Sequence, residues 1–463
     1  MQSEFTLEQL GFTLQSSVEL ASLTPWSNAI LAMEQLEQGA IANPTEGRQV
    51  GHYWLRNPAL GSARQSEEIK NSWAALDTLA REIDQEEHTD LLMVGIGGSA
   101  LGPQLLVDAL PTQGLNVSFI DNTDPAGVDR VLSGLDLNRT LVVVLSKSGG
   151  TKETRNAMLE VQEAYRKQEV DFASRAIAIT VYGSKLHSMA KEEAWKAVLP
   201  LWDWVGGRTS ITGMVGLLPL ALMKRDWRAF LEGAKTMDLY TRQLSQNNPA
   251  LWLAELWWQE GNGVGDRNMV VLPYKDALGL LGRYLQQLIM ESIGKKLDLD
   301  GKVVHQGLTV YGNKGSTDQH AFVQQLRDGR HDFFAVLVGV LIDRAGSSIE
   351  VEANVTAGEY LLGFLMGTRQ ALLDADRAVM TLILKELDER TLGALIALFE
   401  RTVGLYAHRV NINAYDQPGV EAGKLAAQAM LDLKHDIEAN KDVSSADPFA
   451  VWMWKEHRQC NRE

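Results

Sequence analysis

Between residues 91 and 180 the chain alternates short, unbroken apolar runs with longer stretches of helical periodicity. The runs are Leu91 to Val94, Val117 to Ile120, Thr140 to Leu145 and Ala176 to Thr180. Unbroken hydrophobicity, rather than alternation, marks strands covered on both faces, the signature of a parallel sheet between helical layers. A second series follows, with Asn268 to Leu272 predicted as strand, Ala277 to Leu297 as helix, Phe333 to Ile342 as strand, Tyr360 to Leu373 as helix and Val379 to Leu384 as strand. The pattern predicts two α/β units in one chain, with no evident repeat and no low-complexity linker. The flanks differ. Residues 1 to 80 read as mostly helical, interrupted at Pro44 and Pro58, and the C-terminal stretch returns to helical character before a polar tail.

A length of 463 residues allows two or three domains, and so an enzyme with a cleft between them. The charge, 59 acids against 44 bases for a net −15, argues against a life on nucleic acid or an anionic membrane. Any anionic ligand must therefore be held by a local cluster of donors. The only cysteine, Cys460, allows no intrachain disulfide and points to a reducing compartment. The opening MQSEFTLEQLGFTLQ has neither the basic start nor the apolar core of a signal peptide. The most apolar stretches, Gly213 to Met223 and Phe333 to Ile342, are about half the ~20 residues that a spanning helix needs. The expectation is a soluble, cytoplasmic protein.

Two glycine-bearing loops carry candidate chemistry. The first predicted strand runs into GIGGSALG at 95 to 102, where Gly95, Gly97 and Ala100 satisfy a dinucleotide-binding pattern and Asp121 stands where a ribose-binding acid is expected. Three small residues after a strand also arise wherever a tight turn packs on a helix. The third strand stops abruptly at SKSGGT, 146 to 151, before a predicted helix over 151 to 169. Ser146, Ser148 and Thr151 with two glycines have the composition of a phosphate cradle, with inward N–H groups, hydroxyl donors and a helix N-terminus. The order is not that of a Walker loop, and a Ser/Thr-capped helix is the plain alternative. Loops after the first and third strands of a parallel sheet share its carboxyl edge, so Gly97, Ser99 and the cradle can face one ligand.

Taken with LSKSGGTKET at 145 to 154, GGRTSITG at 206 to 213, MESIGKK at 290 to 296, GSTDQHAF at 315 to 322 and DQPGVEAGK at 416 to 424, these loops resemble the phosphoglucose isomerase family. The resemblance implies two sugar-isomerase-type αβα sandwich domains. Residues 75–230 would form the smaller, with a parallel five-stranded sheet; residues 1–74 and 231–463 would form the larger, with a mixed sheet and the helical flanks. It implies a homodimer whose active site borrows a histidine from the partner, no metal and no organic cofactor, and interconversion of glucose 6-phosphate and fructose 6-phosphate. The chain departs from animal members at Gly149 and Gly150, where those carry a bulkier pair, at Ile293 and at Pro418, and it is shorter, as in a bacterial branch.

The resemblance also implies roles. Position alone makes Glu291 and Lys295 an ordinary ion pair four residues apart; the family match makes Glu291 the base that moves a proton between C2 and C1 through a cis-enediol. Ser316 and Gln319 form a capping-box pattern that places His320 in the first turn of a helix, where the dipole disfavours imidazolium by up to ~1 kcal/mol. By resemblance His320 opens the sugar ring; otherwise it is a surface histidine after a cap. Lys424, at the entry to a helix predicted over Leu425 to Leu433, is ordinarily a solvated lysine, and by resemblance the proton partner in ring opening, with Gln417 a substrate ligand. Arg208 matches the arginine that steadies the enediolate, against the alternative of a plain salt bridge. Ser146, Lys147, Ser148 and Thr151 would hold the phosphate. Two other functions stay open on the sequence: a nicotinamide-dependent oxidoreductase, resting on the glycine pattern and Asp121, and a non-catalytic sugar-phosphate sensor of the same fold.

Overall fold

The computed structural model describes residues 3–461. These form two compact units, one reaching to Tyr415 and the other beginning at Asp416. The first unit contains both large sheets. In one, five parallel strands lie in the order Asn116–Ile120, Asp90–Val94, Thr140–Leu145, Ala176–Thr180, Ala197–Pro200. Alternate side chains explain its unbroken apolar runs. Leu91, Met93, Leu141, Val143 and Leu145 enter one core, while Leu92, Val94, Val142 and Val144 enter the core on the opposite face. Each such side chain contributes ~1.5–3 kcal/mol by leaving water. The fifth strand is four residues long and ends in proline, too short to stand out in the sequence.

The second sheet is mixed. Phe333–Val340 pairs in parallel with both Asn268–Tyr274 and Val379–Leu384, and the short Val310–Tyr311 extends the far edge. Its other edge corrects the expectation for the N-terminal flank. Ser3–Leu7 and Phe12–Ser16 form an antiparallel hairpin, turning at Gly11 with φ 56°, and the hairpin adds antiparallel to Val379–Leu384. Glutamate, glutamine and leucine give this stretch a helical composition. The buried residues nevertheless alternate, as Phe12, Leu14 and Ser16, and a partner some 370 positions away in the chain decides between the two readings. The helices Ser27–Glu37, His52–Arg56 and Ala63–Asp84 follow.

The predicted helix over 277–297 is also different. It is α-helical over Leu281–Leu285 and widens to a π-helix over Gln286–Glu291. Lys295–Leu297 leaves it to pair antiparallel with Val303–Gln306. Gly294 marks the stop, where a β-carbon would lie 2.6 Å from the carbonyl oxygen of Met290.

Helices Trp227–Thr241 and Glu389–Arg409 approach backbone to backbone. A β-carbon on Gly233 would lie 1.8 Å from the Arg390 carbonyl oxygen, and one on Gly393 would lie 2.0 Å from that of Phe230. Beside this contact lies a fully buried ionic network. Arg56 grips Asp238 bidentately, Nε to Oδ2 at 2.6 Å and Nη2 to Oδ1 at 2.9 Å, and also reaches Glu400. Arg401 reaches Asp238 at 3.3 Å and Glu37, which also accepts from Arg242 at 2.6 Å. Both buried guanidiniums face the ring of Tyr53, at 4.8 and 4.2 Å from its centroid. Four helices are thereby tied into one core.

The second unit consists of helices Pro418–Glu438 and Pro448–Cys460. Proline at the first helical position starts the former well before the predicted Leu425. Among the described residues no helix is long and apolar enough to cross a membrane.

Removing Asp238 would leave two buried guanidiniums short of an acceptor, and breaking such a pair from one side typically costs ~3–5 kcal/mol. Asp238→Ala is therefore expected to lower unfolding stability by about that amount in urea titration. A loss below ~1 kcal/mol would contradict the network's structural role.

Candidate active site

The first strand ends in a tight turn at Gly97–Ser99, with Gly97 at φ 60°. Against it lies a second turn, Gly207–Thr209. The two meet at their glycines: a β-carbon on Gly98 would sit 2.1 Å from the carbonyl oxygen of Gly207. Ser210 clasps the pair, its hydroxyl donating to Gly207 O at 2.8 Å and to Gly98 O at 3.4 Å. Arg208, carried on the second turn, is 5% exposed. Its Nη1 lies 3.8 Å from Oε2 of Glu291, whose side chain is a quarter exposed. The arrangement is a buried guanidinium beside a carboxylate that still reaches solvent.

Glu291 is the last residue of the π-helix, and Lys295 Nζ donates to its backbone carbonyl at 3.0 Å. This bond anchors the end of the π-helix, and the Glu291 carboxylate faces Arg208. Gln287, on the same element, reaches the first turn, since a β-carbon on Gly97 would lie 3.2 Å from its Nε2. Sequence reasoning passed over Gln287. The available signal was its place four residues before Glu291, which on a helix brings both side chains to one side.

The SKSGGT loop folds on itself as neutral donors and acceptors. Ser146 Oγ accepts from Gly149 N at 3.0 Å and donates to Thr151 Oγ1 at 3.4 Å, while Ser148 Oγ accepts from Gly150 N at 3.0 Å. Thr151 is the N-cap residue of helix Lys152–Lys167 yet makes no side-chain cap bond. Lys147 is engaged elsewhere. Its ammonium donates to the carbonyls of Asp203 at 2.7 Å and Val205 at 3.0 Å, at the start of the segment that leads to Arg208. Desolvation, with the charge of Arg48, pushes its pKa down to about 8.

The other expected residues are carried by other elements. His320 is exposed, at the end of a four-residue 3₁₀ turn, Thr317–His320, and Ser316 makes no side-chain cap bond. The predicted capping box and the dipole argument built on it therefore do not apply. Asp318 organises the segment instead, its carboxylate accepting from the N–H groups of Asn313 and Lys314 at 2.8 and 3.1 Å. Gln319 ties the turn to Thr368. Lys424 lies inside helix Pro418–Glu438, and Gln417 is that helix's N-cap residue, both in the second compact unit. Asp121, the possible ribose acid, accepts from Gln104 Nε2 at 2.9 Å and pairs with Arg283 at 3.5 Å.

Residues 13–338 and 331–449 match the family model described as phosphoglucose isomerase. The glucose-6-phosphate isomerase of Trichormus variabilis is 55% identical over 431 residues, 90% of this chain and 82% of that protein. That of Citrifermentans bemidjiense is 56% identical over 419 residues, 88% and 79% of the two chains. Among solved structures, a glucose-6-phosphate isomerase from Chlamydia trachomatis superposes with a TM-score of 0.84 at 26% identity, covering 98% of this chain and 95% of that one.

The contact at Gly98 leaves no room for a methyl group, and the atoms it would meet are backbone. Gly98→Ala is expected to destabilise by ~1–3 kcal/mol through overpacking, read as a lower midpoint in urea. An unchanged midpoint would show that the two turns are free to separate.

Proposed function

Because the chain belongs to the phosphoglucose isomerase family, we propose that Glu291 and Arg208 are the centre of its chemistry, with Glu291 carrying a proton between C2 and C1 of a sugar phosphate. The reaction is the reversible aldose–ketose isomerisation of glucose 6-phosphate and fructose 6-phosphate, which serves glycolysis and gluconeogenesis. The observation that supports the assignment is the 3.8 Å approach of the Arg208 guanidinium to the Glu291 carboxylate beneath the Gly97 turn. Proton removal from C2 leaves negative charge on the enediol oxygens. A guanidinium cannot give up its proton, so it stabilises that charge without competing for the proton that Glu291 holds. The carboxylate then returns the proton to C1. General acid–base help of this kind contributes ~10²–10⁴ in rate.

The remaining assignments follow the family's pattern. His320 and Lys424 open the ring by exchanging protons at the ring oxygen and its hydroxyl, with Gln417 as a substrate ligand. Ser146, Ser148, Thr151 and the Gly97–Ser99 turn take the phosphate. Lys147 supports them through the Asp203 and Val205 carbonyls, and Gln287 joins the ligands at the Gly97 turn. Residues 75–230 then form the domain that holds the phosphate, and residues 1–74 with 231–463 the domain that supplies the base. The protein works as a cytoplasmic homodimer in which each subunit donates His320 to its partner's site. The exposure of His320 supports a role that needs it to reach beyond its own subunit.

Proton NMR of glucose 6-phosphate in D₂O tests the mechanism. Formation of fructose 6-phosphate with deuterium entering C2 of the returned aldose is expected, and product formed without exchange would contradict the assignment of Glu291 as an exchanging base. Glu291→Gln is expected to lower kcat by at least ~10²–10⁴ while fructose 6-phosphate still binds; loss of binding would make Glu291 a ligand instead. The shared site predicts complementation. Glu291→Gln and His320→Ala subunits, each inactive alone, should regain activity when unfolded and refolded together, and a mixture that stays inactive would place both residues in one subunit's site.

A further inference from the structure

Helix Glu389–Arg409 packs against the π-helix Gln286–Glu291, so the buried ionic network adjoins the element that carries the proposed base. Within the network Glu400 is only half engaged. Its side chain has no exposed surface, and its Oε2 accepts from Arg56, while its Oε1 is buried with no hydrogen-bond partner. Tyr284 is complementary to it. It is 3% exposed, its hydroxyl is buried and unpartnered, and it stands near the end of helix Leu281–Leu285, directly ahead of the π-helix. After burial itself, Glu400 is the charge that raises the Tyr284 pKa and Arg56 the one that opposes it, so both lie close to the phenol. Buried polar atoms are ordinarily satisfied, and one water between a phenol donor and a carboxylate acceptor satisfies both at little cost.

We infer that Glu400 and Tyr284, joined through one buried water, are a positioning pair that fixes the register of the π-helix and thereby aims Glu291 at the substrate. The inference rests on the reading of Glu291 as the base. A π-helix is a rare and short departure from the α-helix it interrupts, so the turn where the widening begins is the one that needs an outside hold. Tyr284 lies in that turn, ahead of both Gln287 and Glu291, and a rotation there would move both side chains. The ionised carboxylate is the stronger acceptor for the bridge. Glu400 is faced by Arg56 of helix His52–Arg56, Asp238 of Trp227–Thr241 and Arg401 on its own helix, and it acts in turn on Tyr284 and Tyr415. Burial pushes its carboxyl up to about 7, with Arg56 and Arg401 opposing the rise and Asp238 adding to it. The pair is therefore engaged above about pH 7 and released as the carboxyl protonates below it.

The test is kcat and KM for fructose 6-phosphate against pH in the full chain, for the unaltered protein, Tyr284→Phe and Glu400→Gln. Both substitutions nearly keep the side chain's volume, and glutamine still offers Arg56 an oxygen. At about pH 8.5 each variant is expected to lower kcat about tenfold with KM within about twofold. At about pH 5.5, where the unaltered protein has itself lost the ionised acceptor, the ratio should shrink to about twofold or less. The double variant should lose no more than either single one, within about twofold. An equal loss at both pH values, losses that multiply in the double variant, or an unchanged kcat in Tyr284→Phe would each overturn the pair. Should Glu400→Gln fail to fold, the pH profile of Tyr284→Phe decides alone. Glu291→Gln separates this inference from the reading beneath it: full turnover there would sink the reading, whereas an inactive Glu291→Gln beside an unaffected Tyr284→Phe sinks only the pair.

Discussion

The contact between Gly98 and Gly207 is the constraint on which the active cleft depends. Two turns, one closing the first strand and the other opening toward helix Met214–Leu222, press together where neither has a side chain. Their backbones can therefore approach within a distance that a methyl group would forbid, and Ser210 fixes the approach with a hydroxyl shared between two carbonyls. Arg208 is buried on the turn that this contact holds in place. The π-helix completes the arrangement from the other side, bringing Gln287 to the Gly97 turn and Glu291 to the guanidinium. Lys147 braces the same segment from below, through the carbonyls two strands away from its own. Burial in that position, with the charge of Arg48, is what lowers its pKa.

The buried ionic network does comparable work for the scaffold. Arg56, Asp238, Glu400, Arg401 and Glu37 come from four helices, and their mutual geometry exists only when all four are in place. Burial, opposed by Arg56, pushes the Glu400 carboxyl up to about 7, while Arg56 and Arg401 overcome desolvation to hold Asp238 below its usual range. His52, beside both arginines, is kept well below its ordinary value by burial first and their charges second, so it is neutral at pH 7. Such a network is poor evidence for extra stability, but a misplaced helix would strand a buried charge and so disfavours alternative packings. Gly233 and Gly393 serve the same end by allowing the two central helices to touch along their backbones.

The parallel sheet was legible because its strands are covered on both faces, and burial on both faces writes an unbroken apolar run into the chain. Thr140–Leu145 and Ala176–Thr180 begin and end where the pattern places them. The N-terminal hairpin was not legible, since its residues suit a helix locally and only Val379–Leu384, at the far end of the unit, supplies the edge that makes it a strand. The same limit applies to chemistry. The SKSGGT loop announces itself because glycine and hydroxyl residues have no reason to interrupt a buried strand. Glu291 does not, because its meaning lies in Arg208, 83 positions earlier, and in a π-helical widening that no residue spacing records. His320 stands out in the sequence through its motif, but the helix cap expected around it is absent: Asp318, not Ser316, holds the backbone there.

The division between neutral and charged donors follows from the reaction. Glucose 6-phosphate and fructose 6-phosphate carry the same phosphate, and that group is unchanged in the transition state between them. Strong binding at the phosphate is therefore uniform binding, which lowers KM without raising kcat and slows release of whichever sugar leaves. If the SKSGGT loop takes the phosphate as proposed, its hydroxyls and backbone N–H groups are suited to that task. The charge that does change appears on the enediol, and there a cation held in a low-dielectric pocket is most effective. In the proposed assignment Arg208, 5% exposed and carried on the turn that meets Gly98, is such a cation, while Lys147 donates to loop carbonyls. On that assignment, an acidic chain with an anionic substrate places its buried positive charge where it favours the transition state over the ground state.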